Sequence, residues 1–178
     1  MRTIDIDDLR RNLSYDPDTG VIMWIDSPRR GLRAGYEHTR GYRCIRYQKI
    51  RTPEHRIAWA LFYGEWPEYH IDHINGDHAD NRIANLRVAT WSQNSMNKPV
   101  QSNNKSGYKG VHREKSTGKW VANINVAGTR YRLGRFNTAE EAYAKYCEAA
   151  PKIHGEFANL GRHKSDALLA AASNGEKK

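Results

Sequence analysis

The feature that most limits the fold of this chain is a break near its middle. Asn97 to Ser106 (NKPVQSNNKS) carries Pro, Asn and Ser with little apolar content, and periodic hydrophobic segments lie on both sides of it. Such a stretch does not run through a packed core, so the 178 residues divide into two small modules rather than one large one. A hydrophobic share of 38% and an aromatic share of 10% suffice for two modest cores and exclude wholesale disorder. Cys44 and Cys147 are too few for a disulfide framework and lack the CxxC spacing of a cysteine zinc site. No run approaches the roughly 18 apolar residues of a membrane span. The opening MRTIDIDDLRRNL has neither a signal core nor transit character, so the expectation is a soluble, intracellular protein without a membrane partner.

Charge points to the partner. The net charge of +9 and pI near 9.6 suit a polyanion, with nucleic acid the first candidate. Residues 29 to 56 and residues 105 to 135 are each net +7, whereas residues 65 to 87 are net −3. Carboxylates able to hold a cation thus lie between stretches able to hold phosphate. Arg29, Arg30 and Arg33 in the first basic stretch are read as phosphate contacts.

In the first module, Val21 to Trp24 and Tyr42 to Tyr47 read as strands, and Pro53 to Tyr63 as a helix burying Ile57, Trp59, Ala60 and Leu61. In the second, Gly110-Val111, Trp120 to Val126 and Thr129 to Leu133 read as strands, with Ala127-Gly128 as a tight turn. Thr138 and Glu141 form a capping box that opens a helix burying Ala142, Tyr143, Tyr146, Ala149 and Ala150. Alternation along the third strand puts Arg130 and Arg132 on one face and turns Tyr131 and Leu133 toward that helix. A short Ala/Leu helix and a charged end come after Arg162.

The chemistry lies in Tyr69 to Asn97, YHIDHINGDHADNRIANLRVATWSQNSMN. Ile71 to Ile74 is a strand, Asn75-Gly76 a turn signal, Leu86 to Ala89 the returning strand, and Thr90 to Gln93 a capping box that starts a helix stopped by Pro99. Asp72 and His73 are neighbours on a strand and point to opposite faces unless the backbone bends. Asn94 lies one turn into the helix, where its amide oxygen can join Asp72 on a hard cation. Mg²⁺ suits so few protein ligands, because it keeps several waters and takes a phosphate. A neutral imidazole such as His73 can deprotonate water at pH 7. His55, His70 and His78 leave a histidine zinc site as an open alternative, with His55 read as structural.

These residues resemble the HNH nuclease motif, in the form found in phage and intron-encoded HNH homing endonucleases. The resemblance rests on Asp72 to Gly76 (DHING), Asp80 to Arg87 (DNRIANLR) and Gln93 to Asn97 (QNSMN). It extends upstream through Tyr15 to Gly20, Trp24, Gly41-Tyr42 and His55 to Trp59. It implies a ββα-metal nuclease domain with a β-rich N-terminal companion region. His73 is then the general base, Asn85 steadies it through its backbone, and Asp72 and Asn94 bind one Mg²⁺, for which Mn²⁺ substitutes. Hydrolysis would leave a 5′-phosphate and a 3′-OH, one strand per active site. A phage-encoded protein in the cytoplasm of a bacterial host is also implied.

Ser106 to Leu160 resembles the DNA-binding domain of the plant ethylene-response-factor (APETALA) transcription factors. The matching residues are Tyr108 to Val111 (YKGV), Gly118 to Trp120 (GKW), Val121 to Asn125 (VANIN), Arg130 to Gly134 (RYRLG), Phe136 to Tyr143 (FNTAEEAY) and Gly155 to Leu160 (GEFANL). The resemblance implies a three-stranded antiparallel sheet, backed by one helix, that enters the major groove. Lys109, His112, Arg113, Lys119, Trp120, Asn125, Arg130 and Arg132 are the contacts it implies. The whole chain is then an α+β protein: nuclease domain 1–97, linker 98–106, DNA-binding domain 107–161 and tail 162–178. Its partner is double-stranded DNA, engaged as a monomer or homodimer. The alternative is a DNA-binding transcriptional regulator whose HNH fold has lost its chemistry.

Overall fold

The computed structural model describes residues 4–26 and 28–161. The helix expected after Arg162 lies outside the described residues. Packing divides the chain into two compact units, Met1–Trp91 and Ser92–Lys178. Among the described residues the strands form small antiparallel sheets and helices supply the rest, a mixed α+β architecture. No helix of the described residues is long and apolar enough to cross a membrane.

The first unit opens with α1 (Ile6–Asn12), a helix not expected from the sequence. Asp5 caps it by accepting from the Asp7 and Asp8 amides at 2.8 and 3.1 Å, and Asp7 and Asp8 at the start with Arg10 and Arg11 at the end suit its dipole. Strands β1 (Leu13–Tyr15) and β2 (Ile22–Trp24) pair antiparallel around the Asp16 to Gly20 turn. Strands β3 (Tyr36–Glu37), β4 (Arg43–Tyr47) and β5 (Ile50–Pro53) form a meander that leads into α2 (Glu54–Tyr63), closed by Gly64.

Helix α2 buries Ile57, Ala58 and Ala60 fully, together with Glu54. Trp59 and Leu61, expected in the stripe, sit half-buried at the edge of the core. Leu9, Leu13, Ile22, Ile45 and Ile57 are each at most 2% exposed and tie α1, the hairpin, the meander and α2 into one core. Each such aliphatic side chain contributes about 1.5–3 kcal/mol by leaving water. Onto this core packs the hairpin of β6 (His70–His73) and β7 (Leu86–Ala89), which brings Ile71 and Leu86 into the same cluster.

The second unit takes up the chain just inside α3 (Trp91–Met96), so most of that helix packs with the C-terminal half of the chain. Strands β8 (Val111–Arg113), β9 (Trp120–Val126) and β10 (Thr129–Phe136) form a sheet in the order β10-β9-β8. Helix α4 (Ala139–His154) lies across it, with the Thr138/Glu141 capping box formed and Ala139, Ala142, Tyr146 and Ala150 buried. Strand β10 runs three residues beyond its expected end and carries a register shift between Arg132 and Gly134.

The segment from Asn97 to Ser106 is not free chain. Lys109 Nζ donates to the Met96 and Lys98 carbonyls at 2.6 Å each, and Asn159 Nδ2 donates to the Asn97 carbonyl at 2.7 Å. The last carbonyls of a helix have no partner within it, and these side chains supply one.

Candidate functional site

The loop from Ile74 to Asn85 joins β6 to β7 and is built almost wholly on side-chain amides and carboxylates. Asn85 Oδ1 accepts from the Asn75 amide at 3.0 Å and its Nδ2 donates to the Asp80 carbonyl at 2.8 Å, which staples the two ends together. Its own carbonyl accepts from the Ile74 amide at 2.9 Å, one residue past His73. Arg82 and Asn75 both bind Asp80, at 2.6 and 2.8 Å, and hold its carboxyl down at about 2, with the Arg82 bond the largest cause.

The hairpin of the N-terminal region holds this loop from outside. Tyr15 OH donates to the Asn81 carbonyl at 2.7 Å and the Ile83 amide donates to the Pro17 carbonyl at 3.1 Å. Gly20, at φ 73°, approaches so closely that a Cβ there would lie 2.5 Å from the Arg82 nitrogen. Glycine therefore meets both a left-handed backbone and a steric demand at this position.

What this scaffold fixes is the imidazole of His73, only 2% exposed. Its Nε2 is 3.0 Å from Asn81 Oδ1, so Nε2 carries the proton and Nδ1 keeps a lone pair. Asn81 is itself 1% exposed. Asn81 Nδ2 and Glu54 Oε1 are both buried outside hydrogen-bond geometry. Burial pushes the Glu54 carboxyl up, while Arg43, Arg33 and the Asn81 amide pull it back. Arg43 Nε donates to Glu54 Oε2 at 2.7 Å, so the buried carboxylate is held by a guanidinium.

Around His73 stand Tyr42, His55 and His78. His78 stacks on Tyr42 at 4.0 Å between centroids, and His55 meets His73 edge-on at 5.1 Å. Burial pushes His55 down to about 3, with His73, Arg56 and His78 adding to the effect. The same burial lowers His73, opposed by the Asn81 bond. Both rings are thus neutral near pH 7, as a proton acceptor must be. Among the described residues no cluster of three His, Cys, Asp or Glu could hold a metal, so the histidine zinc site finds no support there; His70 lies exposed on β6.

Asp72 takes the other face of the strand. Its register partner is Arg87, whose Nε and Nη2 donate to Oδ2 at 2.9 and 2.8 Å, whereas His73 lies opposite Leu86. The carboxylate is 3% exposed and held in place by the guanidinium. Asn94 lies on α3, which packs with the second unit. A fixed carboxylate such as Asp72 is a hard donor of the kind that suits a Mg²⁺-type ion completing its shell with water and phosphate.

Arg29, Arg30 and Arg33 are exposed. Arg29 lies over Trp24 at 5.5 Å, and together with Arg33 and Arg46 it lines an open cavity of about 180 Å³ beside Tyr36.

In the second unit His112, Arg113, Lys119, Asn125, Arg130 and Arg132 are exposed. The register pairs Arg130 with Asn125, Arg132 with Asn123 and Arg135 with Val121. The bulge at Leu133 thus brings Arg135 onto the face of Arg130 and Arg132. Gly134 inside a strand pattern was the available signal for it.

Two expected contacts go elsewhere. Lys109 is committed to the end of α3, where burial pushes its ammonium down to about 8. Trp120 is half-buried against the Val111–Ala122 cluster, because an indole gains more from packing there than from water. Tyr131, expected against the helix, is 53% exposed.

The family model described as HNH endonuclease matches residues 54–96, and the AP2 domain model matches residues 106–156. Protein 3.8 of Escherichia phage T7 is 30% identical over 115 residues, which cover 64% of this chain and 94% of that protein. An HNH endonuclease of Acanthamoeba polyphaga mimivirus is 35% identical over 116 residues, 64% of this chain and 59% of its own length. A dehydration-responsive element-binding protein of Arabidopsis thaliana is 38% identical over 76 residues, only 22% of that protein. No solved structure matches the chain.

Proposed function

The chain belongs to the HNH endonucleases and carries an AP2 domain, and from that premise we propose that it is a site-recognising, homing-type DNA endonuclease. The observation that carries the reading is the buried His73, neutral and locked by Asn81 through Nε2, next in sequence to a carboxylate that Arg87 fixes. In this reading His73 Nδ1 takes the proton of the attacking water, and the stapled loop keeps the ring from turning away. Asn85 acts through the backbone at Ile74. Asp72 and Asn94 are the residues that would hold one Mg²⁺ or Mn²⁺ in a ββα arrangement. A divalent cation, when bound, supplies several kcal/mol of charge stabilisation at the leaving 3′ oxygen. The products are a 5′-phosphate and a 3′-OH, and one such site cuts one strand.

The exposed cations of one face of the AP2 sheet, Arg130, Arg132 and Arg135, read the duplex, with His112 and Asn125 on that face and Lys119 in the turn beside it. Arg113 pairs with Trp120 on the other face and reaches DNA only from the sheet edge. Arg29, Arg30 and Arg33 hold phosphate. The functional divisions are 1–97, 98–106 and 107–161, although α3 and the linker pack with the second unit. The test is supercoiled plasmid incubated with the full chain. Conversion to open circle with Mg²⁺ or Mn²⁺, abolished by chelator, is expected. Duplex binding with no cutting under any divalent ion would make the chain a DNA-binding regulator instead.

A further inference from the structure

We propose that Glu114 is a specificity-determining residue of the DNA-reading sheet, a built-in counter-charge that trades phosphate attraction for base selectivity. The proposal rests on the reading of that sheet as the DNA face. Between residues 105 and 135 Glu114 is the lone carboxylate among eight Lys and Arg. It stands one residue past β8, in a turn closed by its own amide donating to the Lys119 carbonyl at 2.8 Å.

From there the side chain reaches over the outer face. Oε1 accepts from Arg132 Nη2 at 2.6 Å, and Oε2 lies 3.1 Å from Arg135 Nε. Thr117 Oγ1 donates to Oε2 at 2.6 Å as well. The bulge at Leu133 is what lets one carboxylate serve both guanidiniums, because strict alternation would have sent Arg135 to the helix side.

Ion pairs this exposed add little stability, so holding the fold together is not a sufficient role for the arrangement: Arg132 and Arg135 are 46% and 47% exposed against 22% for Glu114. Its effect is on what the face attracts. A phosphate approaching either arginine meets a fixed negative charge a few ångströms away, so sequence-independent binding is weakened. A base edge is not penalised in the same way. The guanidinium N–H groups left over can still pair with guanine O6 and N7, and a carboxylate there can accept from the cytosine amino group. Both guanidiniums are also held in one orientation before DNA arrives, as a bidentate contact requires.

The test uses the full chain with chelator present, so that nothing is cut. Wild type, Glu114→Gln and Thr117→Val are compared on a duplex of randomised sequence across salt concentrations. The same proteins then select from a randomised duplex pool. Glu114→Gln should bind the randomised duplex roughly tenfold tighter at low salt, with a log–log salt slope steeper by about 0.9, the value for one further neutralised phosphate. Its recovered sequences should show a flattened preference. Thr117→Val removes a support of the turn but keeps the charge, and should match wild type in all three readouts. The proposal is overturned if Glu114→Gln leaves affinity, slope and preference unchanged, or if Thr117→Val reproduces its effects. If wild type itself recovers no preferred sequence, the sheet is not a reader, and the proposal falls with that reading.

Discussion

The hairpin of β6 and β7 and the sheet of β8 to β10 use the same residue types, His, Asn, Arg and a carboxylate, in opposite ways. In the hairpin these groups are buried and joined: Asp72, His73, Asn81 and Asn85 are all buried, and each has a side-chain hydrogen bond. On the sheet they stand in solvent, with Arg130, Arg132 and Arg135 held by single neighbours or by Glu114. Burial fixes a protonation state and a direction, which suits a group that must accept one proton from one place. Exposure leaves charge free to meet a polyanion and lets salt tune the encounter. On the proposed reading one region is organised for chemistry and the other for recognition, and the difference can be broken experimentally.

The largest effect is expected at Asp72. Asp72→Ala removes the carboxylate that takes two hydrogen bonds from Arg87, which should lower the melting temperature and end metal-supported cutting. Asp72→Asn should keep most of the melting temperature while still losing the metal dependence. A variant that cuts with Mg²⁺ at wild-type rate would show that another residue holds the cation. Next comes Asn81→Leu, which removes the acceptor for His73 Nε2 while Tyr15 still holds the backbone there. Cutting should fall about 10- to 100-fold, the usual loss when the partner that orients a histidine is removed. Nitrogen chemical shifts of His73 should report a mixed tautomer, and an unchanged spectrum with an unchanged rate would remove Asn81 from the account.

Lys109 sharpens the comparison because the resemblance implies a DNA contact while its ammonium binds the Met96 and Lys98 carbonyls. Lys109→Met should cost about 1–3 kcal/mol, since two carbonyls at the end of α3 lose their donor. The salt slope of DNA binding should stay as it was. A slope shallower by about 0.9 would return Lys109 to the phosphate contacts. The last effect concerns pH and builds up only gradually, over several pH units. His55 has a folded value of about 3 against 6.5 when free, so below pH 6.5 the unfolded chain binds a proton that the folded chain does not. Stability is complete above pH 6.5 and should decline as pH falls toward 3, by up to about 1.4 kcal/mol per pH unit from this group. His55→Phe should flatten that part of the curve in melts taken across pH, and an unaltered curve would mean that His55 is not the group that titrates.

The sequence disclosed the hairpin strands, α2, the sheet of the second unit and α4 because each carries a period or a cap that local physics enforces. Motif spacing singled out Asp72, His73, Asn85 and Asn94 for the roles proposed above. The sequence did not disclose Asn81 as the partner of His73, because the two meet only when the loop between the hairpin strands folds back on the imidazole. Arg87 opposite Asp72 was within reach, since a short hairpin fixes its register. The Lys109 bonds were hidden for a related reason: a cation beside a basic sheet shows nothing in sequence of a helix that ends next to it. The Leu133 bulge likewise decided which arginines share a face, and strict alternation cannot contain it.

The claim that one region cuts and the other reads is tested most directly by measuring two quantities on a single cleavable duplex. Cutting rate with Mg²⁺ and affinity in chelator are determined for wild type, His73→Ala and Arg132→Ala in parallel. His73→Ala should lose about 10²- to 10⁴-fold in rate with affinity unchanged. Arg132→Ala should lose roughly 1–3 kcal/mol of affinity at one base pair, while the rate at saturating protein is kept. If each variant instead lost rate and affinity together, cutting and reading would not be separable between the two regions, and the account would be wrong.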